Sequence, residues 1–189
     1  MPRPAVVTLQ PVSAETISRV TIRRARSDDN ALLAILGAET FADSFGADNT
    51  PEDMELYLAR AFSPERQAAE LAEPNSAFLI AEIGGDAAGY ARIRETAPPP
   101  EASAARALEI VRFYSRTVWI GRGVGAALMR ACLDEAAQRG CDLVWLQVWE
   151  RNARAIDFYS KWGFTARGAR EFRLGNDVQR DHLMVRAPV

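Results

Sequence analysis

Hydrophobic positions along the chain switch between two periods, and each switch marks an element. Residues 19–26, RVTIRRAR, alternate as a first strand. Leu32, Leu33, Ile35, Leu36 and Phe41 then recur at helical spacing to about Phe45, with Ser27 as N-cap and Asp28 and Asp29 at the positive helix start. Gly46 breaks that helix. Pro51, followed by Glu52 and Asp53, opens a second helix to about Phe62, and Ser63-Pro64-Glu65 opens a short third. The period then drops to two: 77–83 (AFLIAEI) and 87–94 (AAGYARIR) flank Gly84-Gly85-Asp86, a hairpin signal. Residues 96–106, with three consecutive prolines, are a loop, and 107–115 (ALEIVRFYS) are a strand.

A glycine stretch follows, then a helix to about Arg139 that Gly140 stops. The apolar run 142–149 (DLVWLQVW) has the character of a buried parallel strand. Residues 153–162 are helical, ended by Gly163, and 164–172 and 179–186 form two closing strands around a turn at 174–177. The predicted order is β-α-α-α-β-β-β-α-β-α-β-β. This is an α/β (α+β) chain whose mixed sheet has hairpins at both ends and one crossover in the middle. Residues 20–189 read as one domain, and 1–19 as an N-terminal extension.

Composition narrows the function classes. The chain has 189 residues and net charge −2, and Lys161 is its single lysine against 23 basic residues spread without a basic tract. Nucleic-acid binding is therefore not expected. No apolar run approaches the ~18–20 residues of a membrane span, and 1–19 lack the apolar stretch of a signal peptide. Cys132 and Cys141 have no metal-type spacing and form no disulfide framework, so a reduced, cytoplasmic setting without a metal is the simple expectation.

The candidate chemistry centres on residues 120–128, IGRGVGAAL, where three alternate glycines run into an apolar helix. A phosphate loop of the nucleotidase kind needs Lys-Ser/Thr after its last glycine, and Ala126-Ala127 stands there instead. A dinucleotide fingerprint fits Gly121-x-Gly123-x-x-Ala126 loosely, with Glu150 where a ribose-binding acid would sit. That fingerprint starts straight off its strand, however, and here residues 116–120 intervene.

A third reading accounts for more of the chain. Ile120-Gly-Arg-Gly123-Val-Gly125 resembles the Gln/Arg-x-x-Gly-x-Gly/Ala signature of the GNAT family of acetyl-CoA-dependent N-acetyltransferases, except at its first position. Downstream, Asn152-Ala-Arg-Ala155-Ile-Asp-Phe158-Tyr159 closed by Gly163-Phe164 resembles the family's second signature, and one helix and one strand separate the two. The resemblance implies a single GNAT-like domain with a central, mostly antiparallel sheet of about seven strands and splayed parallel strands in the middle. Backbone N–H groups over Gly121, Arg122, Gly123, Val124, Gly125 and Ala126, at a helix N-terminus, would form the nest for the pyrophosphate of coenzyme A. Arg122 would add charge, and glycine would keep side chains out of the approach. Phe113, Tyr114 and Ser115 would flank the acetyl group and pantetheine, with the Phe113 N–H on the acetyl carbonyl. Asn152, Ala155 and Tyr159 would complete the cofactor contacts.

Acetyl transfer needs a neutral amine. At pH 7 a lysine-like amine of pKa ~10.4 is neutral in about one molecule in 10³–10⁴, a cost of roughly 4–5 kcal/mol that a base offsets. Glu109, fourteen residues before Gly123, occupies the offset of the catalytic glutamate in family members that have one. Strict alternation puts Glu109, Val111 and Phe113 on one face and Ile110, Arg112 and Tyr114 on the other. Tyr159 is the resemblance's candidate for protonating the departing thiolate. His182, the single histidine, stands beside Asp181, but adjacent strand residues face opposite ways, so a dyad is not expected and the histidine reads as structural.

For the acceptor, residues 27–59 carry eight acids and no Lys or Arg. Glu39 and Asp43, four apart on one helix face, could grip an ammonium together. Thr40-Phe41…Phe45, Asn49-Thr-Pro51-Glu-Asp-Met54…Tyr57, Leu108-Glu-Ile110…Arg112 and Phe172…Gly175…Gln179…Asp181 are similar to PaiA-type spermidine/spermine N-acetyltransferases, which implies a polyamine acceptor. A protein N-terminus, a lysine or an aminoglycoside-like amine are alternatives within the same chemistry. A non-catalytic acyl-CoA-binding module is an alternative of another class, disfavoured because Glu109 and Tyr159 are both present. Closing strands often pair subunits in this family, so a homodimer is an assembly the resemblance allows.

Overall fold

The computed structural model describes residues 20–187, so the expected extension 1–19 lies outside the described residues. Twelve elements follow in the expected order: β1 Thr21–Arg24, α1 Asn30–Phe45, α2 Pro51–Ala61, α3 Pro64–Leu71, β2 Ser76–Ile83, β3 Asp86–Thr96, β4 Ala107–Ser115, α4 Val124–Gln138, β5 Leu143–Trp149, α5 Ala153–Lys161, β6 Thr165–Leu174 and β7 Asp177–Arg186. Local chemistry sets most boundaries. Thr50 Oγ1 accepts the Asp53 N–H at 3.2 Å and Ser63 Oγ accepts the Arg66 N–H at 3.1 Å, each with proline at the first helical position. The start of α1 differs from expectation. Ser27 opens a short 3-10 turn rather than capping the helix. Asp29 stands at the N-cap position, but its carboxylate accepts no helix N–H and turns back to the Arg26 N–H at 2.7 Å and both Arg23 Nη groups at 2.7 and 2.9 Å.

The seven strands form one sheet in the order β1-β2-β3-β4-β5-β7-β6. Only β4 and β5 pair in parallel, from Ala107↔Leu143 to Ile110↔Leu146. Helices α4 and α5 cover one face, over a core that includes Ile93, Ile110, Leu128, Val144 and Leu146. Helices α1–α3 cover the other, where Leu33, Leu36 and Phe78 pack with Tyr90, and Phe41, Met54 and Phe62 pack with Leu174.

One irregularity overturns the alternation expected for β4. Arg92 pairs with Arg112, but the next residue, Ile93, pairs with Ile110. Val111 is therefore the extra residue of a β-bulge, which resets the faces of everything after it. Phe113 stays with Ile110 under α4 and α5, whereas Glu109, opposite Arg94, shares the α1–α3 face with Arg112 and Tyr114. Glu109 and Phe113 lie on opposite faces, not the same one.

The α1–α3 face contains a buried ionic knot. Glu70 is fully buried and meets Arg66 at 2.8 Å, Arg92 at 2.9 Å and Arg112 at 2.6 Å. Arg112 also stacks on Phe62 with its guanidinium 4.8 Å from the ring centroid. Glu70 thus ties α3 to β3 and β4. Removing one partner of such a group leaves buried charge uncompensated. Glu70→Gln is expected to lower the unfolding free energy by about 3–5 kcal/mol, read by urea denaturation.

Candidate active site

Beyond Ile110 and Leu146, β4 and β5 part. The β4 residues 112–115 keep their partners on β3, while β5 runs on to Trp149 against β7 alone. The wedge between them opens into a cleft of about 670 Å³. Its floor on the α1–α3 side carries Glu109, Gln147 and Asp181, and Phe41, Phe45, Tyr57, Trp149 and Phe172 wall it. Those aromatics pack on each other, with Phe41–Tyr57 at 4.5 Å and Phe45–Trp149 at 5.9 Å between centroids. Gln147 is exposed although it lies in a central strand, because the wedge reaches it.

At the other end, the glycine stretch forms the lip. Gly121 and Gly123 have φ of +78° and +88°, and Gly123 is the left-handed N-cap of α4. An added Cβ at either would meet nothing within 4 Å, so the requirement for glycine here comes from the backbone conformation itself. Arg122 N–H bonds to the Trp119 carbonyl at 3.2 Å and does not face outward. The N–H groups of Gly121, Gly123, Val124, Gly125 and Ala126 have no acceptor among the described residues. Five unused donors at the start of a 15-residue helix make an anion site.

The comparisons with known proteins converge on this architecture. A model of the acetyltransferase (GNAT) family matches residues 38–164. An uncharacterized N-acetyltransferase of Lactobacillus delbrueckii subsp. lactis is 35% identical over 154 residues, 82% of this chain and 89% of its own. The chain belongs to the GNAT family of acetyltransferases. A second N-acetyltransferase, from Mycobacterium tuberculosis strain H37Rv, is also 35% identical over 154 residues, with 82% and 94% covered. Among solved structures, the PaiA N-acetyltransferase of Thermoplasma acidophilum in complex with coenzyme A superposes with a TM-score of 0.73 over 89% of this chain and 99% of its own, at 18% identity. This GNAT enzyme is an acyltransferase that uses acetyl-CoA. The five free amides fit the diphosphate of that donor, and coenzyme A held there would bring its thioester end toward the wedge.

The structure gathers most of the residues singled out in the sequence. Phe113, Tyr114, Ser115, Gly121, Gly123, Gly125, Ala126, Asn152, Ala155 and Tyr159 all line the cleft. Asn152 also caps α5, its Oδ1 accepting the Ala155 N–H at 3.2 Å. Two of the expected cofactor side chains point elsewhere: Arg122 lies over Trp119, 5.3 Å from the ring centroid, and Val124 is buried in the core. Val124 still offers its N–H. No helix among the described residues is long and apolar enough to cross a membrane.

Glu39 and Asp43 require a correction. Neither lines the cleft. Glu39 takes the Arg116 guanidinium at 2.9 Å, and Asp43 accepts the Thr117 hydroxyl at 2.9 Å. Helical spacing put them on one face, as expected, but that face meets the segment between β4 and α4 rather than an acceptor.

Charge in the cleft is arranged differently from the sequence reading. Glu109 accepts from Arg94 Nη2 at 2.6 Å. Asp181 is 7% exposed and has no hydrogen-bonding or ionic partner among the described residues. Burial, then the nearby Glu150, pushes its carboxyl up to about 6. Burial, then Cys132, raises the Tyr159 phenol above its ordinary value, which keeps it protonated. The sequence reading gave Asp181 no role in the cleft, and it did not single out Gln147, Arg94 or the exposed, cleft-lining Arg154. A usable signal for Asp181 was present: it interrupts the face that Leu183 and Val185 continue, so an acid occupies an apolar stripe.

Gly123→Ala forces a left-handed φ on a residue with a Cβ, at about 1–2 kcal/mol. Titration calorimetry is expected to show coenzyme A affinity weakened about tenfold or more, while Gly125→Ala, free of that strain, loses less.

Proposed function

We propose that this acetyltransferase acts on a primary amine of a small polycation, with spermidine-type polyamines the leading class. The observation that carries this is a second cavity of about 540 Å³ that adjoins the cleft and shares Trp149 and Gln179 with it. Asp48, Glu150, Glu171 and Asp177 line it, against Arg151, Arg170 and Arg180. Those arginines have acidic partners: Asp48 at 3.3 Å, Glu101 at 2.9 Å and Glu150 at 3.9 Å. An acceptor with one amine on the cleft floor would extend a second past Trp149 toward Glu171 and Asp177, the two acids of this rim that no arginine holds among the described residues. The aromatic wall suits such a chain, since it packs on methylenes and attracts ammonium groups over its ring faces. The likeness to the PaiA fold supports the reading without deciding the acceptor.

Within this reading each residue has a task. The free amides of Gly121 and of residues 123–126 hold the diphosphate, Phe113–Ser115 flank the acetyl end, and Asn152 and Ala155 guide the pantetheine arm. Tyr159, kept protonated by burial, donates to the departing sulfur. Glu109 is spent on Arg94, and the pair closes one end of the cleft floor.

Thiol release from acetyl-CoA, followed with spermidine, a lysine peptide and an aminoglycoside in parallel, tests the acceptor class. Spermidine is expected to give the highest kcat/KM, and a faster peptide or aminoglycoside reaction overturns the polyamine assignment. Tyr159→Phe is expected to lower kcat by about 10²–10⁴ while leaving coenzyme A affinity in calorimetry unchanged.

A further inference from the structure

Acetylation of an amine needs a group that meets the ammonium and takes its proton, and the residue expected for this from the sequence is already occupied. Glu109 is closed by Arg94, and the bulge at Val111 turns it away from Phe113. Asp181 differs in every respect that matters. It sits on β7 opposite Trp149 of β5, at the end of the floor on which Gln147 and Glu109 also lie. The residue is only 7% exposed, yet it lines the cleft and no described group donates to its carboxylate.

We propose that Asp181 is the acceptor-side carboxylate of this enzyme: it receives the ammonium of the incoming amine and removes the proton that blocks attack. The proposal rests on amine acetylation and not on the polyamine class. The acceptor ammonium supplies the donors that Asp181 lacks. One N–H proton of the ammonium passes to the carboxylate. The freed nitrogen lone pair forms the C–N bond to the acetyl carbon, and the C–S bond breaks with its electron pair on sulfur. The amine's second proton replaces the one Tyr159 gives to the sulfur. Asp181 then releases its proton to solvent, so the sum is one amide, one thiol and one proton.

The surroundings set when Asp181 is competent. Glu150 at the end of β5 adds negative charge, and Tyr57 of α2 also lies within electrostatic reach. Arg170, its cross-strand partner on β6, directs its guanidinium to Glu101 at 2.9 Å and over Trp145 instead. Glu109 on β4 is neutralised by Arg94. Desolvation without a cationic partner leaves a carboxylate poised near 6.

The test is the pH profile of kcat/KM for an alkylamine acceptor, in the wild type and in Asp181→Asn and Glu109→Gln. A base acting on the ammonium gives a profile that falls tenfold per unit below about pH 6 and is flat from there toward the amine's own pKa of ~10. Asp181→Asn must wait for the free amine. Its kcat/KM is expected to climb tenfold per pH unit from 6 to 9, to lie about 10²–10³ below wild type at pH 7, and to leave coenzyme A affinity unchanged. Glu109→Gln is expected to keep the plateau. Asp181→Asn retaining the plateau, or Glu109→Gln losing it, overturns the assignment. Should wild type acetylate no amine of the panel, the functional reading fails separately. Carbon-13 titration of the Asp181 carboxyl in the wild-type protein then decides the site: a midpoint near 6 sustains the unpartnered carboxylate, and one near the ordinary ~3.9 overturns it.

Discussion

Strand β4 gives up its hydrogen-bonded row to β5 after Ile110, and the active site depends on that parting. Buried backbone polar groups need partners, so a central strand that leaves its neighbour exposes donors and acceptors to whatever enters the gap. Here the gap opens between two strands whose outer sides remain paired, β4 to β3 and β5 to β7, so the sheet stays one body while its middle divides. The bulge at Val111 belongs to the same event. It bends β4 away and sends Phe113 to the α4–α5 face while Arg112 and Tyr114 stay with Glu109. Phe113 and Glu109 therefore border the wedge from opposite faces of one sheet.

Holding that wedge open takes rigid walls. On the acceptor side, Glu70 collects Arg66, Arg92 and Arg112, and Arg112 lies on Phe62. A buried ionic knot is a poor source of net stability compared with apolar packing, but its geometry is specific. It fixes α3 against the two strands that border the cleft. On the donor side, Phe113, Phe158 and Tyr159 pack with centroid distances of 5.6 to 6.0 Å. That packing sets the Tyr159 ring between the core and the cleft.

The features legible in the sequence are those whose cause is local. Thr50-Pro51 and Ser63-Pro64 specify helix starts within four residues, Gly84-Gly85 specifies a hairpin, and Gly121 and Gly123 specify positive φ, so the order of elements and the left-handed turn into α4 could be read directly. What was missed depends on tertiary register. Val111 is an ordinary strand residue, and nothing in VRFYS announces that it is unpaired. Glu39 and Asp43 have the spacing to act together, but spacing does not say which neighbour their helix face meets, and Arg116 and Thr117 claimed them. Asp181 reads in the sequence as a neighbour of His182 and as one residue of the PaiA-type likeness, while its place in the cleft follows from alternation with Leu183 and Val185.

A solitary buried acid links the cleft to the durability of the whole molecule. Folding moves the Asp181 carboxyl from 3.8 up to about 6, so the native state favours its neutral form. The empty protein therefore loses robustness as pH climbs from about 4 to 6, by an amount on the order of 3 kcal/mol, and does not regain it at higher pH. A cation lodged beside Asp181 would cancel that penalty. The loaded enzyme should then outlast the empty one by a margin that opens between about pH 4 and 6 and stays level above it, and heat resistance itself would become a gauge of occupancy.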